Sequence, residues 1–201
     1  LYPKAVEVTG DGVLRLDLYP RLAKPLDIYT GVSRTHEVLL RFDRGTPAAD
    51  TGRAFAAFQQ PLRAFAPLRW YGRDTQAFGN LVEADPELFG GRREVLEKYI
   101  AWWTSNFENI KSVRDGRSIN GVHRDAYGWL EFGDGFHHVW RAGNSDPRNL
   151  AWDGNYYDFP HACLLHYLLT GRADVFEFFI EHSRHLADVH FVHHDPDPAL
   201  I

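Results

Sequence analysis

Apolar and polar residues alternate along the first ~45 residues, a period of two that puts each set on one face of a β-sheet. Leu14, Leu16 and Leu18 alternate with Arg15 and Asp17, and Val38, Leu40 and Phe42 alternate with Leu39 and Arg41. Asp11-Gly12, Pro20 and Pro25 supply the turns between these predicted strands. From Arg92 the period lengthens. Leu96, Tyr99, Ile100, Trp103, Phe107 and Ile110 recur at helical spacing over roughly five turns, and Asp115-Gly116 marks the end. A helical hairpin is predicted further on. Its first helix covers 155–169, with Pro160 tolerated only near the first turn and Gly171 suited to a left-handed cap. Its second covers 173–189, with Val175, Phe176, Phe179, Ile180, Ser183, Leu186 and Ala187 inward.

Between strands and helices, residues 46–91 are punctuated by glycine and proline yet rich in aromatics: Phe55, Phe58, Phe65, Trp70, Tyr71 and Phe78. A short helix is predicted over 54–60, stopped by Pro61. Flexible linkers are polar, so this one is predicted to pack onto its neighbours. A second irregular stretch covers 118–154. Strands and helices segregated along the chain predict an α+β fold in three parts, 1–45, 46–91 and 92–201.

Composition narrows the function classes. Of the 201 residues, 44% are apolar and 24% charged, the balance of a globular chain. A net charge of −5 gives no global basic field for nucleic acid, and no apolar run approaches the ~20 residues of a bilayer span. Cys163 is the single cysteine and sits among apolar neighbours, so it reads as a core residue. Aromatics reach 14% and there is no methionine. A chain that starts at Leu1 without methionine predicts a trimmed or partial product. The opening residues carry no export-signal pattern, and in a partial chain that absence says nothing about export.

Four stretches concentrate candidate chemistry. The first is the histidine group His182, His185, His190, His193 and His194, with Asp188 and Asp195. Imidazoles three or four apart share a helix face and suit metals, but no His-Glu-x-x-His motif or companion cysteine is present. We therefore assign no metal ligand; the bland alternative is a helix end where charged histidine favours the dipole. His185 and His193 suit acid–base work near neutral pH. The second stretch, 152–161, crowds Trp152, Asn155, Tyr156, Tyr157, Asp158 and His161 at a helix start. A helix cap explains Asn155 or Asp158 but not the other residues. The third, 127–138, sets Trp129, Glu131 and Asp134 among glycines. The fourth, 31–37, places Arg34 and His36 on one face of an extended segment, where a solvated face explains them equally well. Phosphate-binding glycine loops, Gly-x-Ser-x-Gly elbows and Cys-x-x-Cys pairs are absent from the sequence.

In this order the stretches resemble the exo-rhamnogalacturonan lyase-like family of polysaccharide lyases. The resembling pieces are 31–42 (Gly-Val-Ser-Arg-Thr-His-Glu-Val-Leu-Leu-Arg-Phe) and 60–71 (Gln-Pro-Leu-Arg-Ala-Phe-Ala-Pro-Leu-Arg-Trp-Tyr). They continue with 128–134 (Gly-Trp-Leu-Glu-Phe-Gly-Asp), 152–158 (Trp-Asp-Gly-Asn-Tyr-Tyr-Asp), Thr170-Gly171 and 185–190 (His-Leu-Ala-Asp-Val-His). The resemblance implies the end of a β-rich domain, a packed linker and the first hairpins of a central (α/α)6 toroid. A closed toroid of twelve helices of about 12 residues joined by about 5 needs on the order of 200 residues, more than follows the linker. The expectation is therefore an incomplete toroid belonging to a longer parent polypeptide, with secreted or periplasmic localisation.

The implied reaction is β-elimination on a uronic-acid-containing glycan of the pectin rhamnogalacturonan type. It requires neutralisation of the carboxylate, a base for the C5 proton and an acid for the leaving oxygen. The residues expected to transfer protons are Tyr157 and His185, with Tyr156 and His161 as close seconds. Those expected to bind substrate are Arg34, His36, Trp129, Asp134, Trp152, Asn155, Asp158 and His193. The residues demand no cofactor, although a divalent cation can serve the carboxylate. The partners are an oligo- or polysaccharide and the remaining parent polypeptide, with no nucleic acid and no membrane span. The runner-up enzyme is a glycoside hydrolase on an (α/α) barrel, drawing two carboxylates from Glu131, Asp134, Asp153 and Asp158. A non-catalytic glycan-binding protein is the third reading.

Overall fold

A computed structural model describes residues 4–21, 23, 25, 28, 31–42, 44, 49–115, 137–138, 150–151 and 158–197. Two antiparallel strands open the chain, β1 (Ala5–Val8) and β2 (Leu14–Asp17), registered Ala5 to Asp17 and Val8 to Leu14. Their turn is closed by the Thr9 amide donating to the Val13 carbonyl at 2.9 Å. The alternation at Leu14 and Leu16 thus marks a real strand. The similar alternation at 38–42 does not: these residues pair with no strand among those described, and Val38, Leu40 and Phe42 are exposed. Alternation prepares a strand for pairing, but a ladder also needs a second edge.

α1 (Ala49–Gln59) precedes Pro61, five residues longer at its start than the predicted helix. After a π-helical turn (Trp70–Asp74) the chain doubles back so closely that a Cβ on Gly72 would sit 2.5 Å from the Leu81 carbonyl oxygen. Only glycine fits that approach. α2 (Pro86–Phe89) is capped by the Asp85 carboxylate, which accepts from the Glu87 amide at 3.0 Å. A 3₁₀ turn (Gly90–Arg92) leads into α3 (Arg93–Arg114), which buries Leu96 and Phe107 as its periodicity predicts. Tyr99 departs from that prediction; it is exposed. The two-residue strands β3 (His137–His138) and β4 (Leu150–Ala151) pair antiparallel.

α4 (Phe159–Thr170) and α5 (Ala173–Val189) form the predicted antiparallel hairpin. α4 begins four residues later than 155, which leaves Pro160 in the first turn, where its missing N–H costs nothing. Gly171 closes it at φ 73°, its amide donating to the Tyr167 carbonyl at 2.7 Å. The core gathers Phe107 of α3, Cys163, Tyr167 and Leu168 of α4, and Val175 and Phe178 of α5. Linker aromatics pack on it: the Phe65 ring lies 5.4 Å from Tyr167 and 5.2 Å from Phe176. Two arginines tie α3 to the hairpin. Arg172 bridges Glu108 and Asp174, and Arg114 reaches Glu181 at 2.6 Å while lying 4.2 Å from the Phe178 ring centre. The described chain is thus mixed α+β, and no described helix is long and apolar enough to cross a membrane.

Candidate functional site at the C-terminal end of α5

The buried face of α5 differs from the predicted one. It runs through Val175, Phe178, His182, His185 and Asp188, spaced three or four apart, whereas Phe176, Phe179, Ile180, Ser183 and Leu186 are half-buried and Ala187 exposed. Of these only Val175 belongs to the predicted inward set, because the stripe turns polar halfway along and the apolar spacing favours the neighbouring face. Buried polar groups are costly unless hydrogen-bonded. The surroundings of this end show how that cost is met.

Segment 31–37 lies across the end of α5 as an extended strap. Asp188 accepts from the Thr35 amide at 2.8 Å and the Thr35 hydroxyl at 3.1 Å, and pairs with Arg34 Nη1 at 3.5 Å. The last carbonyls of the helix, which have no partner within it, are taken in turn. The His190 amide donates to Leu186, His193 Nε2 to Ala187 at 2.6 Å and the Ser33 amide to Asp188 at 2.9 Å. The His193 amide also donates to the Gly31 carbonyl at 2.7 Å. Strap and tail cross closely there: a Cβ on Gly31, at φ 82°, would lie 2.6 Å from Val192 Cγ1. A carboxylate in a final helical turn opposes the dipole, and Arg34 supplies the compensating cation. Burial lowers the Arg34 pKa, and Asp188 works against that shift.

The histidines of this end occupy different environments. His185 is buried and its Nε2 lies 3.0 Å from Nε2 of the exposed His190. A hydrogen bond between these nitrogens needs one to donate and the other to accept, so the two rings take complementary tautomers. His182 is enclosed by Phe159 and Phe178, each ring 5.9 Å away. His36 joins the strap beside Arg34; desolvation chiefly lowers its pKa, with Lys4 and Arg34 adding to the effect. Thr35 and Glu37 are exposed where Arg34 and His36 are not, which matches the predicted common face.

Of the predicted site residues, the structure brings Arg34, His36, His185 and His193 to this one end. His193 enters as a helix-capping donor. His161 and Asp158 stand apart at the start of α4, an exposed pair with Nδ1 3.1 Å from the carboxylate. Asp158 precedes the helix at φ 53° and makes no side-chain cap there. Tyr156, Tyr157, Trp129, Asp134, Trp152 and Asn155 lie outside the described residues, as do Glu131 and Asp153 of the hydrolase reading. Asp188 and His190 were visible in the sequence only as members of the histidine group. The missed signal was the spacing from His182 through His185 to Asp188, which continues the apolar positions Val175 and Phe178. No group of three metal-ligating side chains occurs among the described residues.

Elsewhere, Cys163 is buried in the core, which pushes its thiol up to about 12. His166 stacks on Trp103, centroids 3.6 Å apart, with neither ring nitrogen hydrogen-bonded among the described residues. Burial, reinforced by Arg172, pushes its pKa down to about 4. Compared with family models, curated proteins and solved structures, the chain matches none.

Proposed function

We propose that the chain belongs to a carbohydrate-active enzyme that cleaves uronic-acid-containing glycans by β-elimination, with the end of α5 as part of its proton-transfer machinery. The motif resemblance supplies the reaction class, the (α/α) toroid of which α4 and α5 form one hairpin, and the secreted or periplasmic setting. The observation that carries the reading is the pair of imidazoles, His185 buried and His190 exposed, 3.0 Å apart at the end of α5, where the strap that bears Arg34 and His36 is fastened to Asp188. A solvent-facing histidine backed by a second imidazole has its tautomer set and a route for its proton. His190 is accordingly the ring that meets substrate and His185 the ring that positions it. This reverses the emphasis given to His185 by the sequence, because a ring 2% exposed does not reach a polymer. Tyr157 remains the complementary acid or base. Arg34 holds the strap through Asp188 instead of meeting the substrate carboxylate, since its own charge is already matched.

The full-length protein tests this with rhamnogalacturonan and polygalacturonate as substrates and ultraviolet absorbance of the unsaturated product as readout. His190→Gln is expected to lower kcat by about 10²- to 10⁴-fold, the usual worth of a general acid or base. His185→Gln is expected to shift the pH profile as well as lower kcat. Undiminished turnover in His190→Gln, with the fold intact by circular dichroism, would remove the pair from the mechanism.

A further inference from the structure

Leu96 and Phe107 of α3 are buried, but a second stripe beside them faces outward. Arg92, Val95, Tyr99, Trp102 and Asn106 are all exposed, at spacings of three, four, three and four residues. That alternation is the seam of a two-helix contact. Val95 is 70% and Trp102 64% exposed, and the Tyr99 and Trp102 rings lie 6.5 Å apart. At the N-terminal end of the stripe lies a cavity of about 420 Å³, walled by Phe89, Arg92, Val95, Leu96, Tyr99 and Leu169. We infer that this face is a self-association surface. Two copies of the chain pair their α3 helices antiparallel about a two-fold axis, and each seats its Trp102 over the cavity of the other. The inference stands apart from the glycan reading.

A second copy is favoured by what the stripe offers to itself. In a two-fold pair every contact occurs twice, residue i against j and j against i. Setting Val95 opposite Tyr99 of an antiparallel second copy brings Arg92 level with that copy's Trp102 at both ends. The charges fit this register. Arg93 is engaged by Glu97 and Lys98 by Glu94, whereas Arg92 has no hydrogen bond or ion pair among the described residues. A guanidinium over an indole face is a favoured cation–π contact, so the uncommitted cation of one copy meets the exposed indole of the other. Tryptophan seated in a pocket is also the commonest kind of anchor in a protein–protein interface. Glu94 and Lys98 share one flank of the seam. The two-fold sets them in opposite order, so each Glu94 comes within reach of the second copy's Lys98. A parallel pair would face Arg92 with Arg92 and leave both cavities empty. The contact covers only about four helical turns, at the low end of stable interfaces, which predicts a dissociation constant in the micromolar range.

Sedimentation velocity of the full-length protein, over about a hundredfold range of concentration through the micromolar region, tests the assignment. A monomer–dimer equilibrium is expected. Trp102→Ala is expected to weaken the dimer about 30-fold or more, the scale of a truncated anchor residue. Arg92→Glu, at an exposed position, should weaken it as well. Trp70→Ala, which removes another exposed tryptophan on the π-helical turn, should leave it unchanged. Val95→Cys and Tyr99→Cys chains, mixed and mildly oxidised, should cross-link to each other and neither to itself. A full-length protein that stays monomeric throughout, as it would if another part of the chain covered the stripe, would overturn the inference. A dimer that survives Trp102→Ala unchanged, or that cross-links Val95→Cys to itself, would overturn it too.

Discussion

Replacing Asp188 by alanine probes how the strap is fastened to α5. The carboxylate is nearly buried and its partner Arg34 has a side chain only 3% exposed. Removing one member of a buried ion pair takes from the other the charge that offsets its desolvation, which costs about 3–5 kcal/mol. The Thr35 amide and hydroxyl also lose their acceptor. The 3.5 Å separation and the 13% residual exposure of the Asp188 side chain place the expected loss at the lower end, about 3 kcal/mol. With a urea m-value of about 2 kcal/mol/M, the unfolding midpoint should fall by about 1.5 M. Asp188→Asn keeps an acceptor for Thr35 and should lose about half as much. Combining Asp188→Ala with Arg34→Met removes both members of the pair, so the double variant should be more stable than the sum of its parts by about 1–3 kcal/mol. A midpoint shift below about 0.3 M for Asp188→Ala, or strict additivity in the cycle, would refute the claim that this pair holds the strap.

Two further predictions concern the core. The pKa of His166 is pushed down to about 4, below its unfolded value near 6.5, so the unfolded chain takes up a proton that the folded chain refuses. The contribution of His166 is therefore fully present above pH 6.5 and is lost as pH falls toward 4, at up to about 1.4 kcal/mol per pH unit. Urea titrations across that window should show a flatter dependence for His166→Phe than for the parent, and identical slopes would contradict the burial argument. Cys163, its thiol pushed up to about 12, should resist alkylation in the folded protein and react on unfolding in urea. Rapid labelling under native conditions would mean that α4 and α5 open readily.

The elements legible in the sequence are those whose local pattern and packing agree. α3 and the α4–α5 hairpin follow from apolar spacing, from Pro160 at a helix start and from Gly171 at a helix end. Residues 38–42 mislead because alternation describes a surface and not its pairing partner. The inward face of α5 escapes the apolar pattern for a different reason. His182, His185 and Asp188 are polar, and polar residues on a helix ordinarily mark the outer face. Here the strap supplies Arg34, Thr35 and the Ser33 amide, more than 150 residues away in the chain, to meet Asp188 and the helix end. Long-range partners of that kind leave no local trace. The pairing of His185 with His190 is likewise a consequence of the chain turning at the helix end.

β-Elimination breaks the glycosidic bond without addition of water. Mass spectrometry of products from a defined oligogalacturonate or rhamnogalacturonan oligomer, incubated with the full-length protein, tests it most directly. β-Elimination predicts product pairs whose masses sum to that of the substrate, one member carrying an unsaturated uronate. Product pairs whose masses sum to substrate plus water would contradict the account.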